Sequence, residues 1–317
     1  MKNPKNKTLI IICGPTAVGK TAVAIALARH FKAEIISADS RQCFKELNIG
    51  VARPSEKELK EVKHHFIASH SIKDEITAAT FEKFALQKVN ELFEDHDVVV
   101  MVGGTGLYIK AFCEGLDEIP EIDPAIRERI TTGYKEKGLS WLQQEIMKKD
   151  TAFYEAGEIQ NPQRMMRALE VVESTGKSIL EYRKRKKPAR DFYIIKTGLE
   201  LPKEELHRNI NERVDKMIEA GLTKEVENLL PYKHMNALQT VGYKEIFDHL
   251  EGNKSLSHST EEIKKNTRQY AKRQMTWFRK DKEVNWFQPG ETKKIIEFVS
   301  NSLQKNENPS NPGALNY

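Results

Sequence analysis

Cysteine is scarce in this chain. Cys13, Cys43 and Cys113 are its three, an odd number with no C-x-x-C pair, which excludes a disulfide framework and a cysteine-built zinc site. Long apolar runs are missing too: none reaches the roughly 18 residues that cross a bilayer, so no membrane partner is expected. The basic start (Lys2, Lys5, Lys7) leads only into Leu9 to Ile12 before Gly14-Pro15, too short for the roughly 7–15-residue core of a secretory signal. A reducing, cytoplasmic setting is therefore the expectation. What is present is ordinary for a folded chain: 317 residues, 39% hydrophobic and 31% charged, ample for a core and too apolar for disorder.

Charge is almost balanced overall, with 51 basic against 46 acidic side chains, but it is unevenly spread. Gln163 to Arg190 carries nine basic and three acidic residues, and Ile263 to Lys282 carries eight and one, which leaves the remainder net negative. Such clustering is the footprint of a polyanion partner. Solvated helix faces are the ordinary alternative for either segment alone.

The first hundred residues alternate short β-rich runs with helical periodicity. Thr8 to Cys13, Glu34 to Ala38 and Asp97 to Val102 read as buried strands. Ala22 to Phe31 and Thr80 to Phe93 read as helices. Strands separated by helices predict a parallel sheet covered on both faces, an α/β core. From Pro120 to Pro188 the pattern turns helical and highly charged, Asp191 to Leu199 reads as a returning strand, and helices follow from about Lys203. The expected organisation is an α/β core of residues 1–120 and 191–300, a helical insertion at 121–190, and a disordered tail at 301–317, rich in Asn, Pro and Ser.

The sharpest local signal is Gly14-Pro15-Thr16-Ala17-Val18-Gly19-Lys20-Thr21, which fits G-x-x-x-x-G-K-[ST] and lies between a predicted strand and a predicted helix. Its glycines let backbone N–H groups turn towards phosphate oxygens, the helix N-terminus adds partial positive charge, and Lys20 adds a full one. The hydroxyl of Thr21 suits a partly hydrated Mg2+. The expected core is thus P-loop-NTPase-like.

A second absence is more telling. Nucleotide hydrolases place a carboxylate at a strand end to help hold Mg2+, yet DVVVMV runs into Gly103-Gly104-Thr105-Gly106, with no acidic residue until Glu114. The acidic residue at a strand end is Asp39, in Ala38-Asp39-Ser40-Arg41-Gln42. Strand C-termini share one rim of a parallel sheet, so Asp39, Thr105 and the phosphate loop should converge there. Taken alone, Asp39 also reads as a turn or N-cap aspartate.

GPTAVGKT, ADSRQ, VGGTGLYIKA, QRMMRALEV, VGYKE (Val241 to Glu245) and TRQYAKRQMTWFR (Thr267 to Arg279) together resemble the tRNA dimethylallyltransferase family, in order over most of the chain. The resemblance implies transfer of a dimethylallyl group from dimethylallyl diphosphate to N6 of the adenosine 3′ to the tRNA anticodon, with Mg2+. It implies that the P-loop grips the diphosphate of a prenyl donor. It makes Asp39 the base on the adenine amine, places Thr105 at the reacting centre, Thr16 near the donor, and Arg213 as a diphosphate clamp, with Arg208 as the alternative five residues away. It implies tRNA contacts from Asp39, Ser40, Arg41, Gln42, Thr105, Arg127, Gln163, Arg164, Met165, Met166 and Arg167, and from Gln239, Thr240, Val241, Gly242, Tyr243 and Lys244. The Arg183–Lys187 run is expected on phosphates, and a monomer in solution.

Where the family pattern has Gly-Thr-Ala-Lys-Pro, this chain has Gly50-Val51-Ala52-Arg53-Pro54, which loses a hydroxyl and exchanges lysine for arginine. His64, His65 and His70 lack a carboxylate or cysteine at ligand spacing and read as packing or surface histidines. Tyr270, Trp277 and Phe278 interleave with basic residues and are candidates to stack on bases, but Trp277 and Phe278 in such a helix belong more often to a core. Two other readings stay open: a phosphate-loop kinase or prenyltransferase of free adenine nucleotides, and an RNA-binding module that senses a nucleotide.

Overall fold

In the computed structural model, residues 7–183 and 188–307 are described. The elements, in order, are β1 (Thr8–Cys13), α1 (Lys20–Phe31), β2 (Ile35–Ser37), α2 (Glu56–Glu61), β3 (His64–His65), α3 (Ala78–Asp95), β4 (Val98–Gly103) and α4 (Gly106–Glu114). There follow α5 (Pro124–Lys149), α6 (Thr151–Glu155), α7 (Pro162–Thr175), α8 (Ile179–Tyr182), β5 (Tyr193–Leu199), α9 (Lys203–Glu219), α10 (Leu222–Asn228), α11 (Tyr243–Leu250), α12 (Leu256–Phe278), β6 (Asn285–Phe287) and α13 (Thr292–Glu307). The described residues up to Cys113 and from Ala189 onward form one compact unit, and Glu114–Pro188 forms another.

The larger unit is built on a parallel sheet in the order β3-β2-β4-β1-β5-β6. Its two central strands, β1 and β4, are almost continuously apolar because both faces are covered. Leu9, Ile11 and Cys13 of β1 join Val99 and Met101 of β4 in one core. Ile10 and Ile12 join Val98 and Val100 in the other, packed with α1 and α13. This is the P-loop-NTPase-like α/β core.

Three local departures from the sequence reading have simple causes. The edge strands β3 and β6 span two and three residues, too short to show a period of two. His64 and His65 form β3, pairing with Ile35 and Ile36, and His65 Nε2 meets Glu34 Oε2 at 2.6 Å. Helix α13 continues through residues 301–307, so no tail begins at Asn301. Ile295 and Val299 are fully buried and Leu303 packs against the same core, one apolar stripe at i, i+4, i+8. Residues 308–317 lie outside the described residues, as do Lys184 to Lys187.

The smaller unit is helical. Its α5 bends at Gly138, where φ is 74°, so that Trp141 folds back over Gly133; a Cβ there would lie 2.4 Å from the indole. Helix α7 opens on Asn161, whose side chain accepts from Arg164 N, with Pro162 in the first turn, and closes at Gly176, the start and stop chemistry expected of a helix. Ile130, Leu142, Ile146, Phe153, Met165 and Leu169 fill its core.

Candidate active site

The motif residues 14–21 link the end of β1 to the start of α1. Gly14 has φ 141° and backs onto β5, where a Cβ would lie 2.5 Å from Leu199 O; Gly19 has φ 97°. Both need glycine. No side chain caps α1, which leaves the N–H groups of its first turn for an anion. Val18 is a core residue.

Thr16, Ala17, Gly19, Lys20 and Thr21 line a cavity of about 280 Å3, with Asp39, Gln42, His64, Gly104, Arg213, Tyr270 and Gln274 around it. Lys20 Nζ donates to Pro15 O at 2.6 Å. Its pKa is lowered to about 8, first by desolvation and then by the neighbouring Arg213, with Asp39 opposing both. Arg213 is held below its ordinary range by burial, with Asp39 again opposing. Two cations sharing one carboxylate make a site in want of anionic charge. Arg208 is exposed and lines neither this cavity nor the next. Five residues along a helix turn a side chain by roughly 140°, so only one of the two arginines can face inwards.

A second cavity, of about 540 Å3, is lined by Asp39, Ser40, Arg41, Gln239, Thr240, Val241, Gly242 and Lys244, together with Asn266, Tyr270 and Arg273 of α12. Thr16, Asp39, Val51, Arg213 and Tyr270 border both cavities. The junction thus carries one carboxylate, Asp39. Its Oδ1 accepts from Arg41 N at 2.8 Å and Gln42 N at 3.2 Å, so the turn-aspartate reading holds and also fixes the carboxylate's direction. Asp39 reaches the junction because β2 ends beside β4: a Cβ on Gly103 would lie 2.2 Å from Ala38 O.

Thr105 lies beside that turn and lines neither cavity. Its Oγ1 accepts from Ser40 N at 3.0 Å and lies 3.3 Å from Ser40 Oγ, which makes it a support of the Asp39 turn. Tyr243 is 0% exposed and donates its hydroxyl to Glu225 Oε1 at 2.6 Å; its ring rests on Gly50, where a Cβ would lie 2.6 Å from it. Glu225 also accepts from Ile49 N and Gly50 N. A side-chain contact from Tyr243 to tRNA is therefore ruled out, because the ring anchors the Gly50 loop. Arg53 spans the same loop, donating to the carbonyls of Phe44, Lys45 and Leu47. Val51 O and Ala52 O accept from Gln42 Nε2 at 3.2 and 3.0 Å. The exchange at Arg53 thus supplies a loop staple, whereas Val51 stands at the cavity junction.

These features meet in sequence as well as in space. An IPP transferase family profile matches residues 42–281. A tRNA dimethylallyltransferase of Christiangramia forsetii is 49% identical over 93% of this chain and 98% of its own length. This chain belongs to the tRNA dimethylallyltransferase family. Another member, from Flavobacterium johnsoniae, is 46% identical over 94% of this chain and 99% of its own. The crystal structure of a full-length tRNA isopentenylpyrophosphate transferase from Bacillus halodurans superposes with a TM-score of 0.72 at 31% identity, covering 95% of this chain and 98% of that one.

In this family member the candidate tRNA residues of the helical unit fall into two kinds. Gln163, Arg164 and Arg127 are exposed. Arg164 pairs with Glu158 at 3.0 Å, Arg167 with Glu170 at 3.1 Å, and Arg127 Nε lies 3.7 Å from Glu170. Part of the basic surplus is thus already neutralised. Met165 is 0% exposed and Met166 is buried with it, so their side chains are core and offer tRNA nothing. Apolar spacing along α7 is the signal that marks them so. No helix among the described residues is long and apolar enough to cross a membrane.

Sequence reasoning missed three residues of the first cavity. Tyr270 reads in sequence only as a base-stacking candidate. Gln274 lay unremarked inside the matched C-terminal stretch. His64, with Nδ1 2.7 Å from Val62 O and a pKa lowered by burial, was read as packing alone. Of the other aromatics, Phe278 is core, and Trp277 lies over Gly106, where a Cβ would be 2.2 Å from the indole.

Proposed function

We propose that this chain transfers the dimethylallyl group of dimethylallyl diphosphate to N6 of the adenosine 3′ to the anticodon of tRNA. The observation that carries this reading is the junction: Asp39 borders both the phosphate-loop cavity and the second cavity. The diphosphate lies on the loop amides, Lys20 and Arg213. The flipped adenine occupies the second cavity, at an unstacking cost of a few kcal/mol, which phosphate contacts elsewhere on the tRNA offset.

An exocyclic adenine amine is a weak nucleophile, since its lone pair is delocalised into the ring. Asp39, fixed through Oδ1, accepts an N6 proton on its other oxygen as the N6–C1 bond forms, an effect worth roughly 10²–10⁴ in rate. The C1–O bond of the donor breaks, and its electron pair leaves with the diphosphate, whose charge Lys20, Arg213 and the helix N-terminus stabilise. Thr105 acts through the Asp39–Ser40 turn. The hydroxyl of Thr21 faces this cavity, a hard oxygen of the kind Mg2+ accepts alongside phosphate oxygens and water. Among the described residues no cluster of three His, Cys, Asp or Glu could cage a metal, which suits an ion that arrives with the diphosphate. Bound there, Mg2+ supplies charge neutralisation on the leaving group.

The test is mass spectrometry of nucleosides from unmodified tRNA incubated with protein, Mg2+ and dimethylallyl diphosphate. N6-(dimethylallyl)adenosine beside the anticodon is the expected product. Prenylation of AMP but not tRNA contradicts the reading.

A further inference from the structure

Gln274 has no part in the chemistry above, yet its amide ties the two halves of the first cavity together. The residue is 6% exposed. Its Oε1 accepts from Thr16 N at 2.8 Å, and its Nε2 donates to Gly104 O at 2.8 Å. One side chain of α12 therefore bridges the phosphate loop and the turn after β4. The turn is tight against it: a Cβ on Gly104 would lie 2.3 Å from Nε2, and the preceding glycine, Gly103, lies against Ala38 O, directly before Asp39. Tyr270, one turn earlier on the same helix face, borders both cavities.

We infer that Gln274 is a positioning residue that sets the separation between the diphosphate cradle and the Asp39 carboxylate, an inference that rests on the proposed prenyl transfer. The path runs Thr16, Gln274, Gly104, Gly103, Ala38, Asp39. Only a side chain with a donor and an acceptor at fixed spacing spans it. Glutamate lacks the donor and methionine lacks both. A buried amide satisfied at each end is rigid, and rigidity here keeps C1 of the donor in line with N6 of the acceptor.

The experiment measures kcat, the Kd of inorganic diphosphate, the Kd of tRNA and Tm for Gln274→Met, Gly104→Ala, Gln274→Ala and the double variant Gln274→Ala/Gly104→Ala. Misplacement by about 1 Å lowers kcat roughly a hundredfold. That is the loss expected for Gln274→Met, with the tRNA Kd held and only a modest fall in Tm, since Thr16 N and Gly104 O each lose a partner. Gly104→Ala should lose a comparable factor by displacing the amide, and the double variant should be no worse than Gln274→Ala, because the two changes break one brace. If Gln274→Met does not fold, Gln274→Glu carries the test, since it keeps the bond from Thr16 N, and its kcat is read in the same way. A wild-type kcat in these variants, losses that add, or parallel falls in kcat, tRNA affinity and Tm overturn the inference while leaving the proposed activity intact. A wild-type protein that transfers no prenyl group to tRNA overturns that activity and the inference with it.

Discussion

The two cavities that meet at Asp39 are built in opposite ways. The phosphate-loop cavity takes most of its anion-binding groups from one consecutive run, Gly14 to Thr21, between β1 and the first turn of α1, and only Arg213 is added from a distant helix. The second cavity takes its walls from segments near residues 40, 50, 240 and 270, joined only by the fold. The first is a motif and the second is a tertiary product. A contiguous loop can recur in many enzymes, so it names a ligand class. A composite wall is particular to one fold, and under the proposed reaction its task is to distinguish an adenine in RNA from other acceptors.

That contrast breaks most readily at the junction. Asp39→Asn, which keeps the shape and removes the base, should cut kcat by roughly 10²–10⁴, with the affinities for diphosphate and tRNA little changed in equilibrium binding. If both affinities fall as far as kcat, Asp39 belongs to the walls alone.

The next largest effect separates the cavities by pH. Lys20 has a pKa lowered to about 8, so the free enzyme loses this cation as pH rises through that value, and diphosphate affinity should fall on the alkaline side while tRNA affinity does not. Lys20→Met removes a charged hydrogen-bond partner, worth about 1.5–3 kcal/mol, and should abolish that limb. Arg213→Gln removes the repelling cation, so the limb should move to higher pH, as calorimetric titration with inorganic diphosphate would read.

In the helical unit the effects fall on stability and on tRNA binding, with little on the chemical step. Met165→Ala, in its core, should destabilise folding by about 2–5 kcal/mol in chemical denaturation. Arg164→Gln should leave stability alone and weaken tRNA binding modestly. Smallest per contact is the salt response: the log–log slope of tRNA affinity should be about −0.7 for each single-stranded phosphate engaged, and one unit of contact should disappear in Arg164→Gln.

Legibility followed the same division. The sheet, the phosphate loop and the return of the chain at β5 were visible because each is a local pattern, apolar runs and a glycine-framed motif. Strands β3 and β6 were not, because two or three residues carry no period and their pairing is decided by neighbours far away in sequence. Asp39 could be found as a strand-end carboxylate, but its sharing of two cavities could not. Tyr243 and Met165 sit inside motifs that otherwise line cavities or carry charge, and only burial shows that their side chains serve the scaffold. Arg213 and Arg208 looked alike in sequence until helix phase separated them.

Prenyl transfer by this route depends on where Asp39 lies relative to both ligands. A structure of the protein with an unreactive thiolodiphosphate analogue of the donor and an unmodified anticodon stem-loop tests it most directly. The prediction is an Asp39 carboxylate oxygen within about 2.6–3.2 Å of the adenine N6, with the diphosphate on Gly14–Thr21 and Arg213. An adenine seated elsewhere, or an Asp39 carboxylate turned away from N6 while the diphosphate occupies the loop, would contradict it.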